Sequence, residues 1–412
     1  MKNSHYYQFM IFVLLLCNTF SACNFKKTQD KISDNQDSVI TIQLSSSSRY
    51  KHKFTMSEIV KDINYIPLET KKECLIGGVG QPVITNDYIF IVSDGILFQF
   101  DRNGKFVRKI NKNGQGPGEC HVRCLGIAEE AELIYIFDNW KLSVNIFDFN
   151  GQLIDVIRNP FSKEPDGHSP SNMVCDTKGN IFFTFNNFGD MKYEYVVMDN
   201  KRNFLYKSPN FILYDNKKRI FDFSIYPSPI FFFDNALYYN YVFNDTVFRI
   251  NNDYSDSPAR IIKIPKRLAL EEEIKIGTYE IDYSDFSNHT VHRAIREDNK
   301  YIYIYNTYNP YSKDYLNYFS IYDKQKKELL EYINPNMEND FDGGMDIELH
   351  PFKQTENVFI YTFWPYQIQE KLTKGHSKET DVKFPEKRNA LKAMINNLLK
   401  DDNPVLMIIT LK

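Results

Sequence analysis

An internal repeat constrains this chain more than any other feature. Residues 88–104, YIFIVSDGILFQFDRNG, and residues 133–151, LIYIFDNWKLSVNIFDFNG, share one order: an apolar strand, a short polar turn, a second strand ending in Phe-Asp, and a turn closing on glycine. Asp94 matches Asp138, Phe100-Asp101 matches Phe147-Asp148, and Gly104 matches Gly151. Alternation with period two marks strands, and Asp-x-x-Gly suits a turn that ends on a left-handed residue. Weaker copies begin at Asn180, Asn235, Lys300 and Asn357. The units start about 45 to 65 residues apart, the spacing of propeller blades rather than of helical solenoids. A lone four-stranded blade cannot bury both faces, whereas a closed ring of blades supplies the core and removes exposed edges. The expected fold is therefore all-β, a six-bladed β-propeller closed by N- and C-terminal strands, with one short helix near the C-terminus. Ser38–Leu44 and Val405–Lys412 are the candidate closing strands. Pro385–Lys400 reads as the helix, with Pro385 in its first turn and Leu391, Met394, Ile395, Leu398 and Leu399 on one face.

Ahead of the repeats lies an address. Lys2 precedes an apolar run, Phe9 to Cys17, that is too short to span a bilayer but suits the core of a secretory signal. The run leads into Phe20-Ser21-Ala22-Cys23, similar to a bacterial lipobox, in which the cysteine is acylated and becomes the mature N-terminus. An ordinary cleaved signal with a chance cysteine is the alternative. Several acyl chains on Cys23 would anchor stably, since one chain alone is marginal. The organisation expected is a lipoprotein signal over 1–22, a flexible tether over 23–37 and the propeller over 38–412. That points to an outer-membrane lipoprotein of the cell envelope, facing either the periplasm or the exterior. With 50 Lys and Arg against 53 Asp and Glu, the chain offers no basic field for nucleic acid, which is not an expected partner. Once Cys17 and Cys23 are set aside, Cys74, Cys120, Cys124 and Cys175 remain without paired metal spacing. Disulfides and buried thiols are both open for them.

Three short motifs, YIPLET at Tyr65, GQGPGE at Gly114 and DDNPVL at Asp401, resemble the six-bladed β-propeller lipoproteins of gut Gram-negative bacteria, and the Asp138 repeat is similar to NHL repeats. The resemblance covers nearly the whole mature chain. It implies the fold and the address, and adds little chemistry, because those lipoproteins mostly lack a defined activity.

The glycine-rich stretch Gly114–Glu119 has no GK[ST] ending and no helical pattern behind it, so it reads as a connection between blades rather than a phosphate loop. Aromatic residues fall at corresponding loops of five repeats: Trp140, Phe188, Tyr241, Tyr308 with Tyr311, and Trp364 with Tyr366. Blade one carries Asp94-Gly95 there instead. Such rings could form a rim that stacks on sugar faces or grips peptide side chains, or they could pack between blades. Arg123, Asn172, His292, Arg293, Asp346 and Glu348 are the polar residues expected nearest the axis. Glu338, Asp340 and Asp342 space oxygen atoms like the start of a calcium loop, but Leu349 stands where the closing Glu belongs, so no metal is expected. His289 and His292 would point oppositely along a strand and lack a third ligand. HExxH and GxSxG are absent from the sequence, and no cofactor is expected. The leading expectation is a membrane-anchored binding module for a glycan, a peptide or an envelope protein. The alternative is a propeller-type lyase or hydrolase working from polar residues at the axis.

Overall fold

The computed structural model of the chain describes residues 39–44, 54–116, 118–161, 169–187, 191–211, 213, 230–240, 244–265, 289–308, 316–333, 336–349, 354–355, 357–374 and 382–412. Cys23, with the expected signal and tether, lies outside them.

Six antiparallel sheets follow one another as blades of a propeller. Blade 1 comprises Val83–Ile84, Tyr88–Ser93, Ile96–Asp101 and Phe106–Lys109. Blade 2 comprises Cys124–Ala128, Leu133–Asp138, Ser143–Asp148 and Leu153–Arg158. Blade 3 is built from Asn172–Cys175, Ile181–Thr184, Tyr193–Met198 and Phe204–Pro209. Blade 4 uses Phe231–Phe233, Ala236–Asn240, Thr246–Ile250 and Asp256–Lys263. Blade 5 uses Thr290–Glu297, Tyr301–Tyr308, Leu316–Asp323 and Glu328–Ile333. The core lies in the gaps between blades, where alternate residues of facing sheets meet. Phe90 and Leu97 of blade 1, for example, pack against Ile134, Ile136 and Phe147 of blade 2.

The repeated Asp-x-x-Gly turns form as their chemistry requires. Asp101 Oδ1 accepts the N–H groups of Asn103 and Lys105, and Asp148 Oδ1 accepts those of Asn150 and Gln152. Gly104 and Gly151 then adopt φ of 82° and 78°, the left-handed region that glycine enters without cost.

Closure differs from the expected pairing. In blade 6 the order is Gln354–Thr355, Val358–Phe363, Val405–Leu411 and Val60–Pro67, so the C-terminal strand is zipped antiparallel to Val60–Pro67 rather than to Ser38–Leu44. The register runs from Val405 opposite Pro67 to Leu411 opposite Val60. Ile40–Gln43 instead lies parallel to Asp256–Lys263 as a fifth strand on the outside of blade 4, with Ile42 and Leu44 buried in the core between blades 4 and 5. Two of the motifs meet at the seam. Asn403 is buried and donates from Nδ2 to the carbonyls of Glu69 and Cys74, while its Oδ1 accepts Ile76 N–H at 2.9 Å. Glu69 in turn accepts Phe106 N–H at 3.0 Å, tying the seam to blade 1.

A long excursion joins the second and third strands of blade 6. It contains the helix Pro365–Lys374, which the sequence pattern did not announce, and the expected helix, which ends at Asn396 rather than at Lys400. Leu391 and Ile395 pack on Tyr65, Phe363 and Val405, and Lys387 pairs with Asp62 of the outer strand. This helix covers a face of the closing blade, touching its second, third and outer strands. A small sheet of Phe54–Thr55, Asn336–Glu338 and Ile347–Glu348 lies outside the six blades. Cys74, Cys120, Cys124 and Cys175 are buried free thiols.

Candidate functional site

Because the strands of each blade alternate in direction, the turn between its second and third strands and the connection to the next blade emerge at the same end. That end is the loop-rich face. At blade 1 it begins with Asp94 and Gly95, whose φ values of 50° and 75° make a two-residue turn of the primed type that Asp-Gly favours. A Cβ on Gly95 would overlap the His121 imidazole, so this glycine is where the connection from blade 1 to blade 2 lays a histidine. The ring of His121 stacks on the Trp140 indole, with centroids 4.4 Å apart and planes 24° apart.

One buried carboxylate fixes both residues. Asp138, at the end of the second strand of blade 2, accepts the His121 N–H on Oδ2 at 3.0 Å and the Trp140 and Lys141 N–H groups on Oδ1 at 2.8 and 3.1 Å. In blade 1 the structural counterpart of Asp138 is Ser93, which ends the second strand, rather than Asp94 as the sequence match had it, and the Ser93 hydroxyl accepts Gly77 N–H at 3.0 Å. The polar residue that ends a second strand thus fastens the incoming connection. Trp140 remains 65% exposed although its backbone and ring are both held.

The glycine loop behind this platform is a fastened connection. Glu119 Oε2 accepts Gly116 N–H at 3.0 Å, and Lys141 Nζ donates to the carbonyls of Gly116 and Glu119 at 3.1 and 2.5 Å. The Gly116 N–H and then Lys112 hold the Glu119 carboxyl below its ordinary pKa. Asn111 completes the brace, donating from Nδ2 to Gly95 and Cys120 carbonyls and accepting Leu97 N–H.

Four of the seven rim aromatics are among the described residues. Trp140 is exposed on its stack. Tyr308 is half-buried and lies 6.0 Å from the Tyr318 ring. Trp364 is half-buried at the start of the helix Pro365–Lys374, where its N–H donates to Gln367 Oε1 at 2.8 Å and its carbonyl accepts Ile368 N–H. Tyr366 is exposed in the first turn of that helix. Phe188, Tyr241 and Tyr311 lie outside the described residues. Trp364 and Tyr366 therefore stand on a helix rather than on the simple loop expected.

The polar set does not gather in one place. Arg123 is exposed just before the inner strand of blade 2, and Asn172 opens the inner strand of blade 3 with Oδ1 on Met173 N–H. His292 and Arg293 lie on the inner strand of blade 5. Asp346 is ion-paired to Lys371, and Glu348 belongs to the small outer sheet, so neither stands on an inner strand. The calcium-like stretch is a structural turn: Asn339 Oδ1 accepts the N–H groups of Phe341, Asp342 and Gly343. Its carboxylates face different partners, Asp340 toward Ser57 and Asp342 toward Tyr65. No cluster of three or more His, Cys, Asp or Glu suited to a metal occurs among the described residues.

Sequence reasoning missed the fastening role of Asp138 and the pairing of His121 with Trp140. The available signal was Asp94-Gly95, the one repeat without a loop aromatic, since a missing side chain beside a neighbour's ring marks a place where that ring can settle.

A family model described as a domain of unknown function, DUF4934, matches residues 39–410. A candidate exported protein from Bacteroides fragilis NCTC 9343 superposes with a TM-score of 0.66 at 16% identity, covering 91% of this chain and 99% of its own. A member of the DUF4221 family from Bacteroides vulgatus ATCC 8482 has a TM-score of 0.45 at 10% identity, with 86% and 97% covered. No curated protein matches the sequence.

Proposed function

Since the chain belongs to the DUF4934 family, whose description assigns no activity, we propose a function from its own surface: a lipid-anchored cell-envelope β-propeller that acts as a binding module through its loop-rich face. The address rests on Lys2, the Phe9–Cys17 run and Cys23, and it agrees with the exported class of the Bacteroides fragilis neighbour.

Trp140 carries the binding reading. A large ring that is 65% exposed yet held by His121 and Asp138 presents apolar area without ordering on contact. Such preorganised aromatic area is what binding sites use, because little conformational entropy is lost when a ligand arrives. Asp94, next to the glycine that seats His121, accepts Asn113 Nδ2 on its carbonyl at 2.8 Å. A flat exposed ring stacked on an imidazole suits the face of a sugar ring or an extended peptide side chain, carried by a glycan, a peptide or another envelope protein.

The test joins a glycan array and a pull-down from the native envelope to measurements on Trp140→Ala and Trp140→Phe. Trp140→Ala should weaken binding of the recovered ligand by about tenfold or more, a loss typical of an aromatic anchor. Trp140→Phe should retain part of the affinity, and both should unfold in denaturant as the unsubstituted chain does. If Trp140→Ala instead loses about 3 kcal/mol or more of stability, as buried tryptophans do, and keeps its ligand, Trp140 is a packing residue and the proposal fails.

A further inference from the structure

The indole of Trp140 is stacked on an imidazole, and imidazole is the side-chain group that changes charge between about pH 5 and 8. We propose that protonation of His121 unlocks the Trp140 platform, so that the ring is held out rigidly in neutral surroundings and swings loose in acid. The inference rests on the binding reading above and adds a regulation to that same site.

The seat of the imidazole carries the argument. Its Nδ1–Cε1 edge lies on Gly95, where even a methyl group would overlap it. Nδ1 is buried there and has no hydrogen-bond partner among the described residues. A neutral imidazole tolerates this seat, because its proton can reside on Nε2 and leave Nδ1 a bare lone pair. An imidazolium does not. Both nitrogens then carry hydrogen, and a charged donor is pressed against the Gly95 backbone with no acceptor. The positive charge also attracts the indole face, but that attraction is small where the indole is 65% exposed. Stranding a charged donor costs the full desolvation of the group, so the second effect wins and the imidazolium leaves Gly95.

The charged groups around His121 give it no relief in place. Asp138 spends Oδ2 on the His121 backbone N–H and Oδ1 on those of Trp140 and Lys141. Asp94, in the blade 1 turn, directs its carboxylate to the Ser93 hydroxyl and to Gly77. Glu119, on the connection, is held by the Gly116 N–H and by Lys112. Lys112, Lys141 and Arg123 are cations close by in the chain, and they disfavour a further positive charge. Once the imidazole moves away, the Asp138 hydrogen bonds still hold the Trp140 backbone, but the contact that orders its ring is lost. A ligand arriving in acid has to order the side chain itself, and affinity falls.

The test reads the unliganded chain carrying Trp364→Phe, which leaves Trp140 as its only indole. From about pH 8 to about pH 5, acrylamide quenching of Trp140 should rise by about twofold or more and its fluorescence anisotropy should fall, while circular dichroism stays constant. Adding His121→Phe, which keeps a ring on the glycine and gains no proton, should abolish the transition and hold the neutral anisotropy throughout. Adding His121→Gln, which removes the stacked ring, should give the acid behaviour at both pH values. Equal quenching at the two pH values, or a transition that survives in His121→Phe, overturns the proposal. So does a His121→Gln chain whose Trp140 is quenched no more at neutral pH than with His121 in place. Because no ligand is present, these readings stand whether or not Trp140→Ala loses binding, and failure of the regulation is separable from failure of the binding reading.

Discussion

The seam of blade 6 and the strand added to blade 4 bury equivalent side chains but should respond differently to truncation. Ile409 lies in the third strand of blade 6, fully buried between Phe359 on one neighbouring strand and Ile63 on the other. Ile42 is nearly as buried, on the added strand Ile40–Gln43. Truncating a buried isoleucine to alanine costs about 2–5 kcal/mol when the site cannot open independently. Ile409 is in that position, because separating its strand opens the ring and exposes two sheet edges. A loss near 3.5 kcal/mol, set against an unfolding entropy of about 0.8 kcal/mol/K for a domain this size, lowers Tm by about 4 °C. The added strand differs. Burying Ile42 and Leu44 contributes about 1.5–3 kcal/mol each, while ordering its few residues costs about 1–2 kcal/mol apiece. Its docking free energy is therefore near zero, and it can peel locally. Ile42→Ala should then shift Tm by less than about 1 °C while raising hydrogen exchange along Asp256–Lys263. Calorimetry with exchange mass spectrometry measures both. Equal Tm losses in the two variants would refute the reasoning and show that the blade 4 strand is part of the closure.

Gly95→Ala places a Cβ in the space of the His121 imidazole at a backbone φ of 75°, so it should displace His121 and alter the fluorescence of Trp140 at little distance from an intact fold; an unchanged spectrum would mean that the stack does not depend on this glycine. Asp342 is buried, with Oδ1 accepting from Tyr65, Asn339 and Gly344 and Oδ2 lacking a hydrogen-bond partner, and burial raises its pKa above 3.8. A carboxyl whose folded pKa is raised contributes stability below the unfolded value and loses it as pH rises through the folded one. Asp342→Asn should accordingly melt above the unsubstituted chain at neutral pH, with the difference shrinking toward pH 4, about the unfolded carboxyl value; a constant difference would contradict the assignment. Burial pushes the Cys120 and Cys124 thiols up to about 12 and about 11, so a thiol reagent at pH 8, about the value for a free thiol, should label neither until the propeller unfolds.

The ring was legible because its evidence is local. Strand alternation, Asp-x-x-Gly turns and Pro385 each act within a few residues, and a short-range pattern is visible wherever it recurs. From these the sequence by itself determined the blades, their turns and the helix beginning at Pro385. The partner of the closing strand was not legible in the same way. SVITIQL over 38–44 is the more apolar candidate, yet VKDINYIP over 60–67 closes the ring, since an outer strand is half solvated and an apolar pattern reports burial rather than partnership. The motifs at Tyr65 and Asp401 could be seen as a likeness, but the hydrogen bonds of Asn403 to Glu69 and Cys74 cross most of the chain. The same limit applied to the rim. Sequence placed Trp140 and Trp364 in equivalent gaps between strands, and only the tertiary structure left Trp140 open on His121 while turning Trp364 into the start of a helix. A side chain's exposure depends on which distant segment comes to lie against it, and that is decided by the packing of the blades rather than by any pattern its own neighbours carry.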